Sequence, residues 1–340
     1  MYVSRIFNPK RVFLYSLRST LIFTLYASVV VFLYACFEFE WLKIPWVPLT
    51  LIGIALAFYV GFKNNSAYDR TWEARKIWGA IVNQSRSWGA MVKGFVTDEF
   101  SETPVPQQEV DAVRKRLIYR HIAWLYRLKR QLRVIKSWEH DRPLNRRYRK
   151  VINEHFPSLD PEAELKQFIA DEEAEALLKK TNVCTQLIDK QSEDLRELKR
   201  IGLIDDFRHM ELQALLSDFY TQQGKCERIK NFPLPRQYAS LSIYFVYLFI
   251  LLLPMGLLTA FADAELPAYM VWGVIPFTSI IGWVFWMMES IGDYAENPFE
   301  NLAFDIPMTG LTRTIEIDLR EMLGETDLPD PIQPKDGFIM

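Results

Sequence analysis

The residue types that most often carry chemistry are scattered along this chain of 340 residues. Cys36, Cys184 and Cys226 lie far apart and form no Cys-x-x-Cys pair, so neither a disulfide framework nor a zinc site is indicated. The histidines are equally dispersed and form no His-Glu-x-x-His pattern; they are His121, His140, His155 and His209. We therefore expect no catalytic metal and no cofactor.

The other common functional motifs and charge patterns point away from enzymes and nucleic-acid binding. The chain contains no glycine-rich phosphate loop, no nucleophile elbow and no kinase signature. Its 40 Lys and Arg against 42 Asp and Glu give a formal charge of −2, whereas domains that bind nucleic acid usually carry a basic excess. We predict neither an enzyme nor a nucleic-acid partner.

Charged residues are absent from four stretches and frequent elsewhere. The uncharged stretches are residues 20–37, 45–62, 238–262 and 266–288. About 20 apolar residues in a helix, rising about 1.5 Å each, cross the hydrocarbon core of a bilayer. The sequence therefore predicts four transmembrane helices, arranged as two hairpins on either side of a long polar insert.

The first apolar stretch has an alternative interpretation. Leu33-Tyr34-Ala35-Cys36 follows a basic segment and an apolar segment, which is the arrangement of a lipoprotein cleavage site. Tyr34 fits that site poorly, and a second apolar stretch begins only a few residues later. A membrane hairpin is the favoured interpretation.

The positions of Lys and Arg predict the orientation of the hairpins, because cytoplasmic loops are enriched in these residues. Four basic residues precede the first span and four follow the second, whereas both short hairpin loops are acidic on balance. These basic residues are Arg5, Lys10, Arg11 and Arg18, and then Lys63, Arg70, Arg75 and Lys76. We predict a cytosolic insert and two cytosolic termini, with divisions at residues 1–62, 63–236, 237–289 and 290–340.

The polar insert reads as helical, so the predicted fold class is all-α. No Gly or Pro occurs between Gly61 and Gly79, which favours a second span that continues as one long helix beyond the membrane. Apolar residues within 162–200 recur at heptad-like positions, namely Leu177, Cys184, Ile188, Leu195 and Leu198. Gly202 then ends that helix, and Asp205 or Asp206 is placed to cap the next one.

One face of the second span carries a regular stripe. Ile54, Phe58 and Phe62 recur every four residues, and Thr50 lies one turn earlier, so the four side chains share one helix face. Such a stripe on a membrane helix ordinarily packs against neighbouring helices or lipid. Position alone assigns it no function.

Four segments, in order along nearly the whole chain, resemble the bacterial branch of the bestrophin family. They are GFKNNSAYDRTWEARKIWG at 61–79, GKCERIKNFPLPRQYA at 224–239, LLPMGL at 252–257 and ENPFENLAFDIPMTGLTRTIEIDL at 296–319. The resemblance implies a symmetric homopentameric ion channel in the bacterial inner membrane, with each second span lining a central pore. Chloride and other anions cross the animal relatives, while some bacterial relatives conduct cations.

The resemblance also implies site residues. Ile54 and Phe58, with Thr50 above them, match the apolar neck that narrows the pore. Ile204 matches the apolar ring of the cytosolic aperture, and a small shift in alignment would move that role to Leu203 or Ile201. The same residues also fit an apolar contact beside a helix N-cap.

The motif at 296–319 departs from the animal pattern. Calcium requires six to eight oxygen ligands. Asn301-Leu302-Ala303-Phe304 interrupts the acidic run, which leaves Glu300 and Asp305 as the nearby carboxylates. We predict that calcium gating does not apply here. Two other functions are weighed beside the channel. A transporter or membrane-embedded enzyme needs polar or ionisable residues near the middle of its spans, and the uncharged stretches argue against it. The third is a scaffold whose membrane hairpins only anchor the insert for a soluble partner.

Overall fold

The computed structural model describes residues 1–157, 159–264 and 267–340. All the regular secondary-structure elements within these ranges are helices. In chain order the α-helices are α1 (Pro9–Phe37), α2 (Trp46–Phe95), α3 (Gln107–Leu132), α4 (Pro143–His155), α5 (Pro161–Lys166), α6 (Asp171–Leu178), α7 (Val183–Arg200), α8 (Asp206–Asn231), α9 (Arg236–Asp263), α10 (Val274–Ala295) and α11 (Met308–Met322). Short 3-10 turns occupy Glu40–Leu42 and Ala268–Gly273. The predicted all-α fold is confirmed.

Four helical segments of the described chain are long and apolar enough to cross a membrane. They are Pro9–Phe37, Glu40–Phe95, Arg236–Asp263 and Ala268–Ala295. Each contains or overlaps one of the uncharged stretches, so the predicted four-span arrangement is confirmed. Leu266, where the fourth span was predicted to begin, and the neighbouring Glu265 lie outside the described residues.

The chain divides into two compact units. The membrane unit comprises Ser4–Arg70 and Pro233–Glu296, and the bundle unit comprises Met1–Val3, Thr71–Phe232 and Asn297–Met340. The long helix α2 contributes residues to both units, as the absence of Gly and Pro between Gly61 and Gly79 predicted.

Helices α1, α9 and α10 pack against one another in the membrane unit. Their shared core is apolar and includes Phe23, Val31, Val246, Phe249 and Leu257. Thr24 of α1 and Ser279 of α10 add a hydrogen bond of 2.9 Å between their hydroxyl groups. Such a bond satisfies polar groups that would otherwise be costly to bury among apolar side chains.

In the bundle unit, α3 is the central helix and contacts α7, α8 and α11. Trp78 and Trp88 are fully buried in this core, whereas Trp72 is exposed. Cys184 and Cys226 are also buried, and burial raises the pKa of both thiols. Two thiols held in the protonated form act as small apolar core residues.

The heptad-like pattern within 162–200 does not form one helix. The segment is divided into α5, α6 and α7, although Leu177, Ile188 and Leu195 are all buried as the pattern indicated. The break before α7 has a local cause, because the Asn182 side chain accepts a hydrogen bond of 3.1 Å from the Thr185 amide and caps a new helix.

Candidate pore-lining helix

One face of α2 packs against the rest of the membrane unit. The buried residues on this face recur at helical spacing and are Leu49, Leu56, Val60, Lys63 and Ala67. Two glycines allow close packing between α2 and α9. A Cβ atom added at Gly53 would lie 3.0 Å from the Phe249 ring, and one added at Gly256 would overlap the Leu49 side chain.

The opposite face of α2 carries the predicted stripe and is exposed. Ile54 is 52% exposed, Phe58 66% and Phe62 65%, and Thr50 is exposed as well. At about 100° per residue, Phe58 lies about 170° around the helix from the centre of the packed face. The structure therefore brings the predicted neck residues together on the side of α2 that faces away from its own chain.

A buried ion pair fastens α2 at the end of this stripe. The ammonium group of Lys63, which follows Phe62, contacts the carboxylate of Glu289 on α10, and neither side chain is accessible beyond a few per cent. Ser242 of α9 donates a hydrogen bond of 2.9 Å to the same Glu289 oxygen. Asn64 donates one of 2.8 Å to the Met288 carbonyl. Three helices are thus joined at one point.

Sequence analysis missed this ion pair. The available signal was that Lys63 and Glu289 are the first charged residues after the uncharged stretches 45–62 and 266–288. Lys63 entered the prediction of orientation only as a flanking charge, and Glu289 did not enter it. Their pairing depends on α2 and α10 being neighbours in the membrane unit.

The structure places Ile204, the predicted aperture residue, in the core of the bundle unit. Its side chain is 1% exposed and that of Leu203 is 2% exposed, whereas Ile201 is 40% exposed. Gly202 adopts a left-handed φ of 77°, which allows the chain to turn sharply after α7. This turn directs Leu203 and Ile204 inward, so neither presents its side chain to the surface of its own chain.

The first turn of α8 presents large apolar side chains instead. Phe207 is 80% exposed and Met210 69% exposed. Asp205 caps the helix by accepting a hydrogen bond of 2.8 Å from the Arg208 amide, so of the two predicted cap residues Asp205 is the one used. The Arg208 guanidinium also donates to the Thr97 hydroxyl at 2.9 Å. These bonds fix the start of the helix on which Phe207 lies.

The two carboxylates of the interrupted acidic motif have partners inside the bundle unit. Glu300 accepts a hydrogen bond of 2.9 Å from the His140 ring and lies 3.7 Å from the Arg149 guanidinium. Asp305 accepts one of 3.1 Å from the Leu302 amide, and burial raises its pKa to about 7. Among the described residues, no three His, Cys, Asp or Glu side chains are grouped to hold a metal ion.

These features together define an integral membrane protein in which one spanning helix presents an exposed apolar stripe. The sequence profile described as Bacterial/Fungal Bestrophin protein matches residues 4–321. The chain therefore belongs to the bestrophin family, in its bacterial and fungal branch.

Individual relatives extend this comparison. The chain is 27% identical over 316 residues to a voltage-dependent anion channel-forming protein of Mesorhizobium japonicum, covering 93% of this chain and 87% of the relative. It is also 27% identical to the voltage-dependent anion channel-forming protein YneE of Escherichia coli K12, with 91% and 87% covered. The solved structure of a bestrophin homolog from Klebsiella pneumoniae shares the fold, with a TM-score of 0.73 at 24% identity over 90% of this chain and 97% of that one.

Proposed function

We propose that five copies of this chain form an ion channel whose central pore is lined by α2. The neck consists of rings of Ile54 and Phe58, with Thr50 at one end and Phe62 added at the other. The observation that carries this proposal is the exposed stripe lying opposite the packed face of α2. In a symmetric ring, helices that pack against their own chains on one side can offer the other side to the axis.

The chemistry of the stripe suits a gate rather than a filter. Rings of Ile and Phe offer a passing ion no oxygen ligand, so an ion that loses water there gains nothing in return. Such a constriction conducts when it widens enough to hold water and blocks when it dries. The permeant ions in this proposal are monovalent, and the relatives named above are described as anion channel-forming.

For the second constriction we favour Phe207 over Ile204. An aperture ring needs a side chain that projects from its own subunit, and Phe207 does so while Ile204 fills the core. Phe207 is close to Ile204 in the chain and is the second residue of α8.

The proposed location is the bacterial inner membrane, with both termini and the bundle unit in the cytosol. The support is the excess of Lys and Arg beside the spans at those ends. Reporter fusions test this orientation directly. A fusion in the loop near Glu40 and one after residue 340 are expected to report opposite sides, and identical behaviour contradicts the orientation.

Ion flux through the purified protein in liposomes separates the proposed channel from a transporter or a scaffold. We expect downhill flux without a second substrate, together with a native mass of five chains. Flux that requires a coupled substrate indicates a transporter, and the absence of flux from correctly inserted protein indicates a scaffold. A native mass of one or two chains contradicts the symmetric pore.

A further inference from the structure

We propose that Asp69 is a charge-selectivity residue of the pore, forming a ring of carboxylates beside the neck that favours cations over anions. This inference rests on the proposed pentameric channel and assigns it a preference among ions. Asp69 follows Phe62 by seven residues on the uninterrupted helix α2, and both residues belong to the membrane unit.

The direction of Asp69 follows from helix geometry. Seven residues are nearly two full turns, so Asp69 lies about 20° around the helix from Phe62 and about 10 Å further along it. It lies about 150° from the centre of the packed face formed by Leu49, Val60 and Lys63, which is within the range spanned by Ile54 and Phe62. If those residues face the axis, the Asp69 carboxylate faces it too.

The charge of Asp69 is not cancelled within its own chain. Its side chain is exposed, and within the described ranges it makes no hydrogen bond and no ion pair. By contrast, Lys63 on the packed face is neutralised by Glu289. Of the polar residues nearby, Asn65 is exposed and uncharged, and Arg70 is half-buried on the packed side of α2. Glu73 and Lys76, one and two turns further along the helix, are paired with each other at 2.7 Å. Among the described residues, Asp69 is therefore the exposed and unpaired charge that follows the neck on this face of α2.

Five such carboxylates at one height act on every ion that enters or leaves the neck. A ring of one charge sign raises the local concentration of counter-ions and lowers that of co-ions. The apolar neck distinguishes ions by the cost of losing water, and it has no charge with which to distinguish their sign. A preference between cations and anions must therefore come from charges at its ends, and Asp69 is placed at one of them.

Reversal potentials in planar bilayers test this inference. Purified full-length protein is measured under a KCl gradient as wild type, Asp69→Asn and Asp69→Lys. We expect the permeability ratio of K⁺ to Cl⁻ to fall about threefold or more in Asp69→Asn and to fall further in Asp69→Lys. The difference between wild type and Asp69→Asn is expected to shrink in about 1 M salt, where charges are screened within about 3 Å.

Glu172→Gln is the matched control, since it removes one exposed carboxylate on α6 and leaves α2 intact. It is expected to keep the wild-type ratio. If the wild type conducts and Asp69→Asn keeps the wild-type permeability ratio of K⁺ to Cl⁻, the Asp69 inference is overturned but the proposed channel is not. Loss of the native pentamer in Asp69→Asn, with an unchanged ratio in the channels that remain, identifies a subunit contact instead and also overturns it. Absence of any wild-type current overturns the channel itself.

Discussion

The ammonium group of Lys63 is paired with the carboxylate of Glu289, and Lys63 directly follows Phe62, the last apolar residue of the exposed stripe. Successive side chains of a helix lie about 100° apart, so Lys63 points to the packed face of α2 while Phe62 points away from it. Lys63 fastens the helix to its own chain, whereas the neighbouring Phe62 is 65% exposed. The buried ion pair therefore holds α2 against its own chain directly beside the end of the exposed stripe.

Breaking the ion pair from one side should be costly. Lys63→Met leaves the Glu289 carboxylate buried without its counter-ion, and the expected loss is about 3–5 kcal/mol of stability. The double variant Lys63→Met/Glu289→Leu removes both charges and is expected to recover much of that loss. Thermal unfolding in detergent measures the double variant and the single variants Lys63→Met and Glu289→Leu. A double variant as unstable as the sum of its two single variants would contradict the assigned pairing.

Widening the neck should increase conduction. Ile54→Ala/Phe58→Ala removes bulk from the exposed stripe without adding charge, so the pentamer is expected to assemble and to pass several-fold more current with weakened gating. Ile22→Ala/Leu25→Ala is the matched control, because it truncates exposed apolar residues of α1. Currents are compared at equal protein insertion. Equal currents from wild type and the neck variant would show that Ile54 and Phe58 do not form the neck.

Alanine variants of the two aperture candidates, Ile204 and Phe207, should have different phenotypes. Ile204→Ala opens a cavity in the bundle core and is expected to lower stability by about 3 kcal/mol. Phe207→Ala removes an exposed side chain, so it should leave stability near wild type and change the relative permeability of ions of different size. Melting curves and bi-ionic reversal potentials provide the two measurements. A change of permeability in Ile204→Ala alone, with normal stability, would instead identify Ile204 as the aperture residue.

Channel activity should not require calcium. Glu300 is already engaged by His140 and Arg149, and the neighbouring residues Leu302, Ala303 and Phe304 offer no side-chain oxygen. Bilayer currents recorded in chelator and in micromolar calcium are expected to agree. Steep activation by added calcium would show that backbone carbonyls and the remaining carboxylates suffice for binding.

Asp305 should make stability depend on pH. Burial raises its pKa from 3.8 to about 7, so between these values the carboxyl ionises in the unfolded chain but stays protonated in the folded one. Ionisation then favours the unfolded chain, and this contribution to stability falls as pH rises from about 4 to about 7 and is constant above. The stability of wild type relative to Asp305→Asn should follow that course. A pH-independent difference in melting temperature would refute it.

Much of the architecture follows from the sequence alone. Uncharged stretches of spanning length determine four membrane helices, because a charged side chain in hydrocarbon is costly and about 20 helical residues are needed to cross it. The four-residue spacing of Ile54, Phe58 and Phe62 places them on one face of α2 whatever surrounds the helix. The four motif segments indicate the family because they are recognised from the order of their residues, without any knowledge of the fold.

Only the tertiary structure decided which of these side chains are buried and which are exposed. Ile204 and Phe207 are apolar residues beside one helix start, yet Ile204 is buried and Phe207 exposed, because the left-handed turn at Gly202 directs the chain into the core. Likewise, Lys63 and Glu289 are far apart in sequence and meet only because α2 and α10 are neighbours. Residue order and helical period are local properties, whereas burial and ion pairing depend on contacts between distant segments of the chain.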